Sequence, residues 1–399
     1  MAKSLLTLNT GSSSLKFVLY ALRNEAPEPS CKGEIEGIGT QPHFIVCDPD
    51  GATLDERRWP GGDTTTNDAL LAYLLDWIDH HLAGDSLAAC GHRIVHGGPK
   101  YVEPVRITAK IIADLESFAP LAPLHQLQGL AAVRSVQAAR PDLAQVACFD
   151  TAFHHGMAPV VSRIALPRSW EETGIRRYGF HGLSYEYVAG RLAVVSPRLA
   201  TGRTIIAHLG NGASLCALKA GRSADTTMGL TPLDGLVMGT RCGAIDPGVV
   251  LYFMQHHGLS ASRIEDILYH RSGLLGISGI SSDMRTLLAS KETAAGEAID
   301  SFVFHILRET GALAATLKGI DGFVFTGGIG ERAPVIRQLV CSGLGWLGIE
   351  LDEAANQRGV GRISTENSAI EVWVIATDEE LVIARHTIRT LYLSPGAID

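Results

Sequence analysis

Two arginines are set where a cation can do chemistry. Arg93 lies in the run His92-Arg93-Ile94-Val95-His96-Gly97-Gly98 and Arg241 in Gly239-Thr240-Arg241-Cys242-Gly243, glycine-bearing segments from which a long side chain can reach into a cleft. The planar fork of arginine suits a carboxylate or a phosphate, although a lone arginine is more often a surface residue in an ion pair. Glycine turns offer a second kind of anion site. Thr10-Gly11-Ser12-Ser13-Ser14 is flanked by Asn9 and Lys16, and Gly210-Asn211-Gly212 follows His208 and Leu209. Glycine admits positive φ and places no Cβ between backbone and ligand, so the N–H groups of such a turn can converge on one phosphate. The hydroxyls of Ser12 and Ser14 would donate to phosphate oxygens, Lys16 would offset their charge, and the amide oxygen of Asn9 can hold a metal ion or its water. A third turn, Thr326-Gly327-Gly328-Ile329-Gly330-Glu331, stands between a strand and a helix, a place that suits an anion or a nucleotide.

These groups need elements to carry them. Residues 4–9 and 15–20 read as strands around the first turn, and 203–209 and 213–219 as strands around the second. The segments LLTLNTGSSSLKFVLY and TIIAHLGNGASLCALK thus repeat one unit, which points to duplicated domains, each presenting one phosphate clamp. A strand ends at residues 92–98, another at 145–149 before Asp150-Thr151, and 322–326 feeds the third turn, with a helix from about Ala333. Leucines spaced along 67–82 predict a helix capped by Asn67 or Asp68 with Gly84 beyond its end, and 299–317 reads as a buried helix. A strand at 370–376 leads through Thr377-Asp378 into a helix with Leu381, Ile388 and Leu391 on one face, whose length of about 14 residues lets it return to the first domain. Strands alternating with helices make an α/β protein, in which polar groups at strand ends face bound ligands.

Composition sets the limits. A chain of 399 residues exceeds one ordinary core and is expected to form two domains with a cleft between them. A formal charge of −8 gives no basic field for nucleic acid or an anionic membrane. The seven cysteines form no CxxC pair, as expected for reduced thiols, and the N-terminus lacks the apolar centre of a secretory signal, so the expected location is the cytoplasm. The pairs His80-His81, His154-His155 and His256-His257 have no metal-ligand spacing and are read as surface or hydrogen-bonded core residues. There is no GxxxxGK[ST], and Gly328-Ile329-Gly330 lacks the third glycine of a dinucleotide fingerprint.

Two phosphate hairpins and a late glycine turn match, by analogy of fold, the actin, Hsp70 and sugar kinase superfamily, in which ATP lies between two duplicated ribonuclease H-like domains. The expected domains are 1–150 with roughly 380–399, and 151–379. The arginines suggest the reaction. A sugar hydroxyl would need a base to take its proton, whereas a carboxylate is already ionised near pH 7 and needs only relief from the repulsion of ATP.

The ordered strings NTGSSSLKF, GHRIVHGG, FDTAFH, RYGFHG, HLGNGAS, GTRCGAIDPG and TGGIGE resemble the acetate kinase family from Leu8 to about Arg385. The resemblance implies reversible, magnesium-dependent transfer of the γ-phosphoryl of ATP to acetate, giving acetyl phosphate and ADP, in a homodimer, with Mn²⁺ able to replace Mg²⁺. It implies that Asn9 and Glu379 hold the metal and that Ser12, Ser14 and Lys16 face the phosphoryl groups. ATP would be cradled by His208, Leu209, Gly210, Asn211 and Gly212, by Asp283, Met284 and Arg285, and by Gly328, Ile329, Gly330, Glu331 and Arg332. Arg93 would bind the carboxylate or the phosphoryl product. Arg241 and His181 would stabilise the transition state, and Asp150 would orient Arg93 or Arg241. The acyl tail would occupy a small apolar pocket of Val95, Leu124, Phe180 and Pro232, beside His125.

Some segments depart from the family pattern. The usual LHNPxN loop reads Leu124-His125-Gln126-Leu127-Gln128 here, GFHGTSH becomes 179–185, GTRSGDIDP becomes GTRCGAIDP, and a GENS-like ending becomes Gly330-Glu331-Arg332. These changes bear on the acyl chain and the phosphoryl donor more than on the reaction. The competing readings are a propionate or butyrate kinase, a silent nucleotide-binding regulator, and pyrophosphate as donor.

Overall fold

The computed structural model describes residues 3–11, 14–23, 26–60, 65–82 and 84–392, apart from the side chains of 23, 26, 123–125 and 392. Two compact units divide the chain, residues 1–152 with 378–399 and residues 153–377.

In the first unit, β1 (Lys3–Thr10), β2 (Ser14–Arg23), β3 (Ala26–Glu36), β4 (His43–Cys47), β5 (Thr53–Arg58), β6 (Ser86–Ile94), β7 (Val105–Arg106) and β8 (Ala144–Phe149) form one sheet in the order β5-β4-β3-β2-β1-β6-β8-β7. In the second, β9 (Arg203–Leu209), β10 (Ala213–Lys219), β11 (Arg222–Thr226), β12 (Gly322–Thr326), β13 (Gly361–Arg362) and β14 (Glu371–Val374) follow the order β11-β10-β9-β12-β14-β13. The plan is the same in both. β1 pairs antiparallel with β2 and parallel with β6, and β9 pairs antiparallel with β10 and parallel with β12. On one side a further parallel strand and a short antiparallel edge strand follow in each sheet, and on the other an antiparallel strand, β3 or β11, so the repeat read in the two hairpins extends over six strands, with β4 and β5 added in the first sheet.

Helix α1 (Asn67–Leu82) buries Leu70, Leu71, Leu74, Leu75 and Ile78 against the first sheet. Each such side chain contributes about 1.5–3 kcal/mol, against about 1 kcal/mol for a cap, so the apolar face holds the helix. The cap itself is Thr66, whose Oγ1 accepts from the Ala69 N–H, rather than Asn67 or Asp68. Helices α2 (Ala109–Ser117) and α3 (Pro123–Ala139) follow. The segment expected as an altered loop after Pro123 is therefore the start of α3, because proline at a first helical position has its φ preset and no N–H to satisfy.

The second unit contains α4 (Gly182–Val195), α5 (Thr293–Leu317), α6 (Gly327–Arg332) and α7 (Pro334–Gly343). The glycine turn after β12 is already helical, with the expected helix divided in two at Ala333 and Pro334. Phe302, Val303, Ile306 and Leu313 of α5 are buried as expected. Helix α8 (Glu379–Tyr392) has 14 residues and belongs to the first unit. It buries Val382, Ile383, His386, Thr387 and Leu391, while Leu381 and Ile388 are only half-buried, so its inner face is turned from the one expected. No helix among the described residues is long and apolar enough to cross a membrane, and all seven cysteines are free.

Among the buried histidines, one in each unit has its partners clearly placed. His92 is fully buried against Gln145 Oε1 at 2.7 Å, and His154 lies between Ser223 Oγ and the Phe180 carbonyl at 2.8 and 2.9 Å. Burial pushes both down from the ordinary 6.5 to about 4. The unfolded chain takes up protons below 6.5 that the folded chain refuses, so the stability these residues contribute is complete above pH 6.5 and lost as the pH falls toward 4. At most about 3 kcal/mol is at stake for each histidine. Urea unfolding across this range should show that decline, and a shallower one in His92→Gln; an identical profile in the variant would remove His92 as a source.

Candidate functional site

Register explains which side chains meet in the first unit. Leu8 lies opposite His92 and Arg93 opposite Cys148, and parallel neighbours in register share a face of the sheet. Leu8 and Cys90 turn to the face covered by α1, whereas Asn9, Gly91, Arg93 and Cys148 turn to the other. That second face carries α8, where Thr387 and Ile383 lie against Gly91. The ends of β1, β6 and β8 and the first turn of α8 therefore bring together Asn9, Arg93, Asp150, Glu379 and Glu380.

The contacts among them are close. Arg93 donates through Nε to both oxygens of Asp150, at 3.1 and 3.0 Å, and through Nη2 to Oδ2 at 2.6 Å. Its Nη1 donates to Asn9 Oδ1 at 2.9 Å, and Nε lies 4.0 Å from Glu379 Oε2. Asn9 Nδ2 in turn donates to Glu379 Oε2 at 3.0 Å and Glu380 Oε1 at 3.1 Å. Burial opposes the charge on Arg93, but Asp150, then Glu379 and Glu380, overcome it and hold the guanidinium more firmly protonated than usual. Burial, followed by the charge of Glu379, raises the carboxyl of Glu380 above its ordinary range. With Asp150 only 1% exposed, removing either member of its pair with Arg93 would cost about 3–5 kcal/mol, because the other charge would stay buried. Of the five N–H donors of Arg93, three are engaged among the described residues, and its side chain is 19% exposed, so two donors remain for an anion. Asp150 thus orients Arg93.

Lys16 stands across the hairpin from Asn9, and the Ser14 carbonyl accepts from the Gly11 N–H at 2.8 Å. Ser12 lies outside the described residues, as do the side chains of Leu124 and His125 in the first turn of α3. Val95 follows directly after β6 and is nearly buried.

A second group forms within the second unit. His181 caps α4 in the left-handed region, at φ 57° and ψ 25°, a conformation that costs about 1–2 kcal/mol for a residue other than glycine. Its Nδ1 lies 2.9 Å from Ser214 Oγ, which is 2.5 Å from the Tyr185 hydroxyl, and its ring stacks on His208 at 4.3 Å. His208 is held by Ser184 Oγ at 2.8 Å. Arg241 donates through Nη1 to the Pro232 carbonyl at 2.9 Å. A Cβ on Gly212 would lie 3.3 Å from His181 Nε2 and 3.6 Å from Arg241 Nη2, so both side chains converge on this turn.

The third turn abuts the second. Gly327, at φ +76°, would place a Cβ 2.8 Å from the Leu209 carbonyl, which leaves glycine as the residue that fits. Glu331 Oε1 accepts from the N–H groups of Gly327 and Thr377, at 3.0 and 3.2 Å. Behind them the fully buried Arg337 donates to the carbonyls of Gly330 and Glu331 and to Asn356. Gly328 and Arg332 are exposed, Ile329 is half-buried, and Phe180 and Pro232 are buried. Asp283 caps the next short helix and pairs with exposed Arg285, whose hydrogen bond holds the Asp283 carboxyl down at about 2. Met284 is buried at the start of that helix.

Sequence reading missed Glu380, Ser184, the Tyr185-Ser214 pair and Arg337 with Asn356. The doubled Glu379-Glu380 after Thr377-Asp378 was the one visible signal; the others are ordinary polar residues inside helices and strands. For a magnesium ion the donor chemistry fits in part. Glu379 offers a hard carboxylate oxygen at the mouth of a helix, as Mg²⁺ prefers, but the Asn9 oxygen faces Arg93 and its NH₂ faces Glu379. Ligation by Asn9 requires its carboxamide to turn over. Among the described residues, no group of three or more His, Cys, Asp or Glu side chains could hold a metal.

The chain is 52% identical to an acetate kinase of Rhodopseudomonas palustris (strain TIE-1) over 394 residues, 98% of each chain. Its fold superposes on a propionate kinase from Francisella tularensis subsp. tularensis SCHU S4 with a TM-score of 0.88 at 36% identity, covering 96% of this chain and 98% of that one. Porphyromonas gingivalis acetate kinase gives a TM-score of 0.83 at 35% identity, covering 98% and 100%. The profile of the Acetokinase family matches residues 4–385, and with relatives of this identity across nearly the whole chain, the protein belongs to the acetokinase family.

Proposed function

We propose that the protein is an acetate kinase, transferring the γ-phosphoryl group of ATP reversibly to acetate to give acetyl phosphate and ADP. The observation that carries this reading is Arg93, a cation clamped edge-on by Asp150 and Asn9 at the ends of three strands, with N–H donors left over. Such a fork binds a carboxylate in two-point fashion and asks nothing of a base, because acetate is already an anion at neutral pH. An oxygen of the acid attacks the γ-phosphorus as the bond to the bridging oxygen of ADP breaks, and ADP leaves with the electron pair.

The other roles are those the family likeness implies. Ser12, Ser14 and Lys16 face the phosphoryl groups. His208 to Gly212, Asp283 to Arg285 and Gly328 to Arg332 cradle the nucleotide. Arg241 and His181 donate to the equatorial oxygens of the group in flight. The Tyr185 hydroxyl, Ser214 Oγ and His181 Nδ1 form a chain of hydrogen bonds that fixes the ring, and His181 Nε2 is turned toward Gly212. By the same likeness Val95, Leu124, His125, Phe180 and Pro232 would serve the acyl tail. Magnesium, for which manganese can substitute, would be held by Glu379, by phosphate oxygens and by Asn9 once its amide has turned, and would neutralise phosphate charge.

A homodimer in the cytoplasm is part of this reading. The helix Pro247–His256 buries none of its side chains and exposes Leu251, Tyr252 and Met254, while Ile277, Ile280 and Phe304 are also exposed, an apolar surface suited to a second copy of the chain. Seven free cysteines suit a reducing compartment. A sister activity on propionate is favoured by the likeness to the Francisella enzyme.

Hydroxylamine trapping of the acyl phosphate, with acetate, propionate and butyrate and with ATP or pyrophosphate as donor, tests the reading. Acetate with ATP should give the highest kcat/KM, and absence of acyl phosphate with every pair would reject it. Arg241→Ala should lower kcat by about 10²–10³-fold with the ATP affinity nearly intact; unchanged turnover would take Arg241 out of the transition state.

A further inference from the structure

The backbone just after β6 is pinned by side chains as well as by the bond from the Tyr101 N–H to the Gly97 carbonyl at 3.0 Å. The His96 N–H donates to Gln126 Oε1 at 3.0 Å, and Gln126 Nε2 returns a bond to the His96 carbonyl at 2.9 Å. The same Nε2 donates to the Leu115 carbonyl, at the end of α2, at 3.2 Å. Next along the chain, the Gly97 N–H donates to Thr151 Oγ1 at 3.1 Å and the Gly98 N–H to His96 Nδ1 at 2.8 Å. Gly97 passes so near Tyr101 that a Cβ would lie 2.1 Å from its carbonyl oxygen, so the segment has no room to slide. Gln126 is fully buried, and its amide oxygen meets an N–H while its nitrogen meets two carbonyls, an orientation fixed by the groups around it.

We infer that Gln126 is a positioning residue for the acyl end of the substrate: by clamping both backbone groups of His96 it fixes where Val95 stands and so how long an acid is accepted. The inference rests on the proposed place of Val95 in the wall of the acyl pocket. The residue comes from the first turns of α3, in the segment that departs from the LHNPxN pattern. Val95 adjoins His96 directly and is 8% exposed. A shift of the clamped peptide therefore moves the valine with it. Gln126 itself need not touch the acid.

Two substitutions separate this role from simple support of the fold. Gln126→Asn draws the amide back by one methylene, and Gln126→Met keeps the volume while removing the hydrogen bonds. Initial rates with acetate and with propionate should show the propionate-to-acetate ratio of kcat/KM rising about fivefold in both variants, a part of the 10–200-fold that one methylene commands in a pocket, with KM for ATP unchanged. An unaltered ratio in both, or in whichever folds, overturns the inference even if overall activity drops, because a structural defect slows both acids alike. Val95→Ala checks the premise separately. If it leaves the ratio unchanged, Val95 is not part of the wall and the inference falls with the pocket assignment. If it raises the ratio, and Gln126→Asn adds nothing to it in the double variant, both residues act on one wall.

Discussion

A guanidinium cannot be taken out of water alone, and the first unit is built around that constraint. Arg93 is largely buried at the end of β6, where an unpaired charge would cost several kcal/mol. Asp150 supplies the opposite charge from the neighbouring strand end, and Asn9 from the strand on the other side accepts a further N–H. The amide of Asn9 then passes polarity on to Glu379 and Glu380, which the partial positive charge at the start of α8 favours. What results is a cation whose orientation is fixed by three elements while part of its fork stays open. The spacing of parallel strands and the alternation of side chains make this arrangement possible, and α8, from the far end of the chain, completes it.

The second unit meets a related constraint with carbonyl groups. Arg337 is buried with burial and the Cys341 thiol as the influences on its charge, and it is satisfied by the carbonyls of Gly330, Glu331 and Asn356. These are the carbonyls behind the glycine turn at 327–330, so the cation holds the rear of that turn. Glu331 ties its front to the exit of β14 through Gly327 and Thr377. Backbone N–H groups can serve as an anion site only if the turn holds still, and here side chains on both sides hold it.

Much of this was legible in the residues. The strands at 203–209 and 213–219 were readable to the residue because apolar runs end abruptly at Gly210-Asn211-Gly212. Asn9, Arg93 and Asp150 were found through the strand ends that carry them. Other parts were not. The two glycines of 327–328 argue against a helix, yet α6 begins there because the turn is packed against Leu209 and pinned by Glu331 and Arg337. The start of α3 at Pro123 was hidden because proline reads as a breaker unless it stands at a first helical position. Strands β3 and β5 are rich in charge, with two prolines in β3, as edge-side strands tend to be, and carry little apolar alternation. The direction of the Asn9 amide, and with it the competition between Arg93 and a metal for one oxygen, depends on partners far apart in sequence and could not be read before they were placed together.

The account stands on the fork of Arg93 as the group that receives the acid. Lysine at that position keeps the charge but loses the planar pair of donors. Titration of acetate into Arg93→Lys in the presence of ADP, followed by NMR of labelled acetate, should show binding weakened by about tenfold or more, with ADP still bound as in the parent protein. Acetate bound equally well by the variant would contradict the account.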